Sequence, residues 1–309
     1  MVGASHPDID SPSFPSSCAP VERHAAFDRF GGRSGSVSSP IVISVPHAGR
    51  EYPAPLLAQA RVPAITLRRL EDRYSDLLAH GLIDLGHEVL IARTARALID
   101  LNRDEREIDP VMLRDAPHGA ALRSTAKLRG GLGLFPRRLQ GANELWRGPL
   151  DWSEAQCRIA QVHRPYHDAL AAMMARARDV HGYAILIDLH SMPPLPFTPG
   201  QDAPHIVLGD RFGRSASNRL TARAADVMQA RGIRVAQNHP YPGNYLIDRH
   251  GRPDRGLHAV QIEIDRSLYL DSALDRPTAG VAAMQALLID LAQALADEWP
   301  ATDFAQAAE

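Results

Sequence analysis

The chain has 309 residues, 45% of them hydrophobic, and sets 34 basic side chains against 36 acidic ones. That is enough apolar mass for one large core, and so even a charge balance excludes the basic stripe of a nucleic-acid binder and the polybasic tail of a membrane-surface protein. Its apolar runs fall short of the roughly 20 residues that cross a bilayer. The N-terminus, "MVGASHPDIDSPSFPSS", has no basic segment followed by an apolar one, so it does not read as a secretory signal. Only two cysteines occur, Cys18 and Cys157, which points to a reducing cytoplasm.

In chain order, residues 1–39 are rich in Ser, Pro, Gly and Asp and read as a flexible leader. Residues 40–309 read as a single α/β domain. Short β-branched apolar runs predict strands at 41–45, 88–93, 184–189, 205–209 and 259–264. Helical spacing predicts helices over about 64–85, 153–180, 214–231 and 276–297. The stretch 115–150 fits neither period and reads as a long functional loop or lid. Strands alternating with long helices predict three layers: a mixed, mostly parallel sheet with helices on both faces.

In such sheets, sites collect beyond the carboxyl ends of the strands. "VISVPHAG" delivers His47 there, "ALIDLNRDE" delivers Asp100, Asn102 and Arg103, "AILIDLH" delivers His190, and "AVQIEID" delivers Glu263 and Asp265. Two neutral histidines and a carboxylate form a typical catalytic zinc set with one position open to water. A free carboxylate can then move the water's proton to a leaving amine. Each residue has a plainer reading: a histidine after a strand is more often a loop hydrogen-bonder, and Arg103 in "NRDERE" fits a solvated charge cluster. Glu263 is the harder one to dismiss, because an acid inside an apolar run is costly to bury without a partner or a task. Serine hydrolysis is disfavoured, since no Gly-x-Ser-x-Gly elbow occurs. Cys157 sits in an amphipathic helical pattern and reads as packing.

The segments "SVPHAGREYP", "EDRYSDLL", "ALIDLNRDE", "RPYHDAL", "ILIDLHSMPP", "HIVLGDRFG", "NHPYPGNYLIDRHGRP" and "HAVQIEIDRSLYLD" occur in the order found in N-formylglutamate amidohydrolases, which the chain resembles over roughly residues 40–295. The resemblance implies a phosphorylase/hydrolase-like fold related to zinc carboxypeptidases and aspartoacylase. It also implies hydrolysis of N-formyl-L-glutamate to formate and glutamate, a late step of histidine degradation. It casts His47 and His190 as zinc ligands, Glu263 as general base, and Asn102 and Arg103 as the pair that holds substrate carboxylate or polarises the carbonyl. The third ligand is Asp72, with Glu51 as the rival. Arg147, Tyr245 and Arg252 are further substrate-binding candidates, and Arg255 is a weaker one. The loop "YPGNY" departs from the pattern, with Asn244 where a glycine is expected. Two other readings stay open: a zinc deacylase for another N-acyl amino acid or a cell-wall fragment, and a non-catalytic ligand-binding protein on the same scaffold. The implied partner is a small molecule, with neither nucleic acid nor membrane; the sequence does not set the oligomeric state.

Overall fold

Eight strands form one mixed sheet in a computed structural model of the chain, which describes residues 22–31, 37–196 and 202–298. They are β1 (Glu22–Arg23), β2 (Phe27–Phe30), β3 (Ile41–Val45), β4 (Glu88–Ala92), β5 (Ala184–Met192), β6 (Ile206–Gly209), β7 (Val235–Gln237) and β8 (Leu257–Asp265), in the spatial order β1-β2-β4-β3-β5-β8-β6-β7. The central four, β4-β3-β5-β8, run parallel, β8 pairs β6 antiparallel, and β2 closes the other side antiparallel to β4.

Alternation along these strands builds two cores. Ile41, Ile43, Ile185, Ile187, Val260 and Ile262 face one side, where they meet helix α2 (Asn218–Ala230) and helix α4 (Gly280–Glu298). Val42, Leu186 and Ala259 face the other side, under helix α1 (Arg164–His181) and the short helix α3 (Tyr245–His250). The expected three-layer mixed architecture is therefore observed. By length and mean hydropathy alone, 19 residues at 1.2, α4 could cross a membrane. Its apolar stripe of Met284, Leu287, Leu288, Leu291 and Leu295 is instead spent on the sheet.

Four expectations need correction. The leader does not extend to residue 39: β1 and β2 belong to the sheet, while residues 1–21 and 32–36 of that stretch lie outside the described residues. Strand β2 reads "FDRF", too polar for an apolar-run criterion, yet Phe27 and Phe30 plug opposite cores and Arg29 pairs with Glu88 at 2.8 Å. The predicted helix 64–85 is broken into Ala64–Leu67, Ser75–Leu78 and His80–Asp84, with Tyr74 left-handed at φ 56° in the gap. That gap carries Asp72, whose N–H bonds the His47 carbonyl at 2.9 Å. The predicted helix 153–180 is interrupted by a π turn at Ile159–His163, just before Pro165. Proline lacks a donor and crowds the preceding turn, and a wider turn relieves both. The stretch 115–150 is largely irregular, as expected, but it is packed. Its Leu134, Phe135, Leu145, Trp146 and Leu150 join Leu56, Leu67 and Ile99 in a third apolar cluster. Cys157 also differs from expectation, because it is exposed instead of packed.

The π turn, α1 and α3 place three buried histidines, His163, His167 and His250, behind the strand ends. His163 Nε2 donates to the Arg103 carbonyl at 2.8 Å, and His167 Nε2 donates to the Leu101 carbonyl at 3.0 Å. Nδ1 of His167 is thereby left to accept from His250 Nε2 at 3.0 Å. Burial, reinforced by neighbouring cations, pushes His167 well below the ordinary imidazole range and His250 down to about 3.

Two predictions follow from this packing. Phe27→Ala, which empties a site against Tyr166, should cost about 3–5 kcal/mol by urea denaturation, whereas a leader residue would cost nothing. The second concerns acid. Because the folded pKa of His250 lies below that of the unfolded chain, the unfolded state binds the extra proton, so stability is lost as pH falls from about 6.5 towards 3. Urea midpoints measured from pH 7 to 4 should show a slope in His250→Gln shallower by about 1.4 kcal/mol per pH unit than in the native chain.

Candidate active site

Parallel pairing aligns the ends of three central strands, with Ser44 and Gln261 opposite Asp188 and Glu263 opposite His190. On the α1 side, the apolar residues Val42, Leu186 and Ala259 give way to Ser44, Asp188, His190, Gln261 and Glu263 at these ends. The other side stays apolar through Val45, Leu189 and Ile264. The run "AILIDLH" thus ends in polar residues because its carboxyl end forms the floor of a cleft of about 240 Å³.

Three ligand-type atoms converge on this floor. Asp72 Oδ2 lies 2.9 Å from His190 Nδ1 and 3.5 Å from His47 Nδ1, and the three groups can offer atoms all within 4.8 Å of one another. The outer nitrogen of each histidine is held by its own acid: His47 Nε2 by Asp100 at 2.7 Å and His190 Nε2 by Asp188 at 2.9 Å. Such acids orient imidazoles that bind metal. Buried His47 Nδ1 has no hydrogen-bond partner. Asp72 Oδ1 is occupied by Arg266 at 3.1 Å, which leaves Oδ2 for the cluster. Glu51, the rival third ligand, instead pairs with Arg93 at 2.6 Å on the surface.

These contacts set the protonation states. Burial would raise the Asp72 carboxyl, but the hydrogen bond from His190 and the electrostatic attraction of His47 beside it outweigh it and hold the group well below the usual carboxylate range. Burial would lower His190, but the charge and hydrogen bond of Asp188 push it well above. For Asp100, burial is overcome by Arg96 and His47, and the acid stays ionised. Glu263 differs: burial dominates and raises it, against opposition from His190. Only one of its oxygens is engaged, by Gln261 Nε2 at 2.9 Å.

Of the remaining candidates, Asn102 and Arg103 line the cleft. The Asn102 amide is occupied within the protein, accepting from Leu246 N at 2.9 Å and donating to Gln261 Oε1 at 3.3 Å. Arg103 is buried, with Nε donating to the Leu132 carbonyl at 2.9 Å. Tyr245 and Arg252 line an adjoining cavity instead. Arg147 is not brought to the cleft; its Nε donates to the Ala60 carbonyl at 3.1 Å. Arg255 is solvent-exposed beside Asp254. Asp265 caps a turn by accepting from Ser267 N at 2.8 Å and does not line the cleft.

Among the lining residues that sequence reading missed are Arg96, Lys127, Tyr241 and Arg266. Arg96 could have been inferred from its position four residues before Asp100, which it binds through Nε at 2.8 Å. Lys127 and Tyr241 come from irregular segments that carry no periodic signal. Asn244 fits its place without being glycine, since its φ of −132° is ordinary extended backbone. The residue that must be glycine is Gly243, at φ +89°, where a Cβ would lie 2.1 Å from Ile247 Cδ1.

The family model for N-formylglutamate amidohydrolase matches residues 39–270. The chain is 31% identical to the N-formylglutamate deformylase of Pseudomonas aeruginosa, over 75% of this chain and 82% of that protein. Against the enzyme of the same name from Pseudomonas putida, identity is 30% over the same shares. The crystal structure of N-formylglutamate amidohydrolase from Ralstonia eutropha JMP134 superposes with a TM-score of 0.80 at 32% identity, covering 88% of this chain and 98% of that one. The chain belongs to the N-formylglutamate amidohydrolase family.

Proposed function

We propose that this protein hydrolyses N-formyl-L-glutamate to formate and L-glutamate with the help of one bound zinc ion, as a step in histidine catabolism in the cytoplasm. The observation that carries the reading is the convergence of His47, Asp72 and His190 beside a carboxylate that is not part of their cluster. The donor set fits the metal. Two imidazole nitrogens and one carboxylate oxygen suit zinc, and the orphaned His47 Nδ1 would gain the partner it lacks. Bound by these three residues, zinc would polarise the formyl oxygen and make water acidic enough to give up a proton near neutral pH. The ligands' place at the ends of parallel strands also supports a zinc-carboxypeptidase-like relationship for the fold.

The chain's own residues supply the rest. Arg103 offers a guanidinium fork to a substrate carboxylate from a buried, fixed position. Glu263 takes a proton from the attacking water at its free oxygen as the new C–O bond forms. It then delivers that proton to the glutamate nitrogen as the C–N bond breaks. Its raised pKa suits both halves of that cycle, because a stronger base is the better acceptor and its conjugate acid can still donate. Gln261 and the backbone pairing to His190 fix the carboxylate at the end of β8.

Glu263→Gln should fold, keep about one zinc per chain by metal analysis, and lose a factor of about 10² to 10⁴ or more in kcat. His190→Ala should lose metal and activity together. Loss of zinc from folded Glu263→Gln would make Glu263 a ligand; retention of both zinc and activity would end the mechanism. A chelator should abolish hydrolysis, and added zinc should restore it. Arg103→Lys should lose kcat/KM on formylglutamate by about tenfold or more, because lysine cannot make the two-pronged contact.

A further inference from the structure

Beside the reaction cleft lies a larger cavity of about 540 Å³. The two share Arg103, Lys127 and Asn244, so they adjoin across these side chains. The walls of the larger one carry more cations than acids, and its acids are already engaged. Asp104 serves both Arg106 and Arg123, at 2.7 and 3.3 Å. Asp248 accepts from Arg211 at 2.8 Å, and Glu107 accepts from the Thr125 hydroxyl at 2.9 Å.

Three cations are left over. Among the described residues, no carboxylate pairs with Lys127 or Arg252, and Arg252 spends its Nη1 on the carbonyls of Asp248 and Gly251. Arg249 donates to the Tyr245 hydroxyl at 2.7 Å and has Asp168 only at 4.0 Å. A chain of net charge −2 thus concentrates positive charge in one hollow next to its reaction site. Low-dielectric walls focus such a field on a small anion. Lys127, the only lysine beside 33 arginines, stands on the helix Ala126–Arg129, where Thr125 caps the Leu128 amide at 3.1 Å. Its ammonium is a compact charge on a flexible stem, suited to reach a carboxylate that enters from either cavity.

We propose that this antechamber is the subsite for a second carboxylate of the substrate, and that Lys127, Arg249 and Arg252 select dianionic N-acyl amino acids over monoanionic ones of the same shape. The inference rests on the amidohydrolase reading above, in which Arg103 takes the other carboxylate. N-formyl-L-glutamate and N-formyl-L-glutamine differ in that one charge and are nearly isosteric. The native enzyme should favour the first strongly in kcat/KM. That preference should fall about tenfold in Lys127→Gln and in Arg252→Gln, mostly through KM, and about 0.5 M sodium chloride should erode it. A second readout needs no turnover. Among its amines the chain offers trinitrobenzenesulfonate only Lys127 and the α-amine, and peptide mapping reads the labelled site. In Glu263→Gln, N-formyl-L-glutamate, which has no free amine to consume the reagent, should slow labelling of Lys127 while N-formyl-L-glutamine should not.

If the native enzyme hydrolyses both substrates equally well, or the variants lose both in parallel, the subsite is overturned and the amidohydrolase reading stands. If the metal-loaded enzyme hydrolyses neither, that reading fails, and labelling still decides the antechamber. Selective protection by N-formyl-L-glutamate supports it; equal protection by N-formyl-L-glutamine, or none, overturns it.

Discussion

Asp72 turns one carboxylate oxygen toward His47 and His190 and the other onto Arg266, all of them buried. An acid this deep costs several kcal/mol of desolvation, which is recovered only if every partner is in place. Much of the surrounding structure follows from that demand. The helix expected over 64–85 breaks to deliver Asp72, and the Asp72 amide ties the break to the His47 turn. Asp100 and Asp188 hold the far sides of the imidazoles, and Arg96 in turn neutralises Asp100. Removing one member would strand the charge of the next.

The sheet makes this polar network affordable by confining it to one face and one end. Below the strand ends, both faces are apolar. Above them, one face changes character while the other remains packed against α2 and α4. His47, Asp72 and His190 therefore ride on rigid strands or on turns anchored to them, which holds their side chains in a fixed geometry. Glu263 shares this support and differs from its neighbours in having an oxygen still free.

Outside the network, positive charge increases toward solvent. Arg96 and Arg266 are spent on acids of the site. Arg103 is bound mainly to backbone carbonyls, and the antechamber beyond it holds more cations than acids. The histidines of the π turn and α1 hold the carbonyls on either side of Asn102, so the layer behind the cleft steadies the loop that separates the two cavities.

The sequence by itself determined the strands that carry the site and the residues at their ends. A buried strand must be apolar and β-branched, so an abrupt Asp or His after it stands out against a strong local pattern. His47, His190 and Glu263 are legible for that reason; Asp100, Asn102 and Arg103 instead follow an apolar run that forms turns and not a strand, and the ordered motifs carry the resemblance to the family. The tertiary structure decided what no local pattern encodes. The choice of Asp72 over Glu51 depended on where a broken helix carries each acid. The membership of β2 in the sheet depended on two phenylalanines finding opposite cores. The arrival of Lys127, Tyr241 and Arg266 at the cleft, and the departure of Arg147 from it, depended on how the irregular stretch 115–150 and its neighbours pack. Periodicity records the burial of a segment against its own sheet, whereas these placements are set by contacts between segments far apart in the chain.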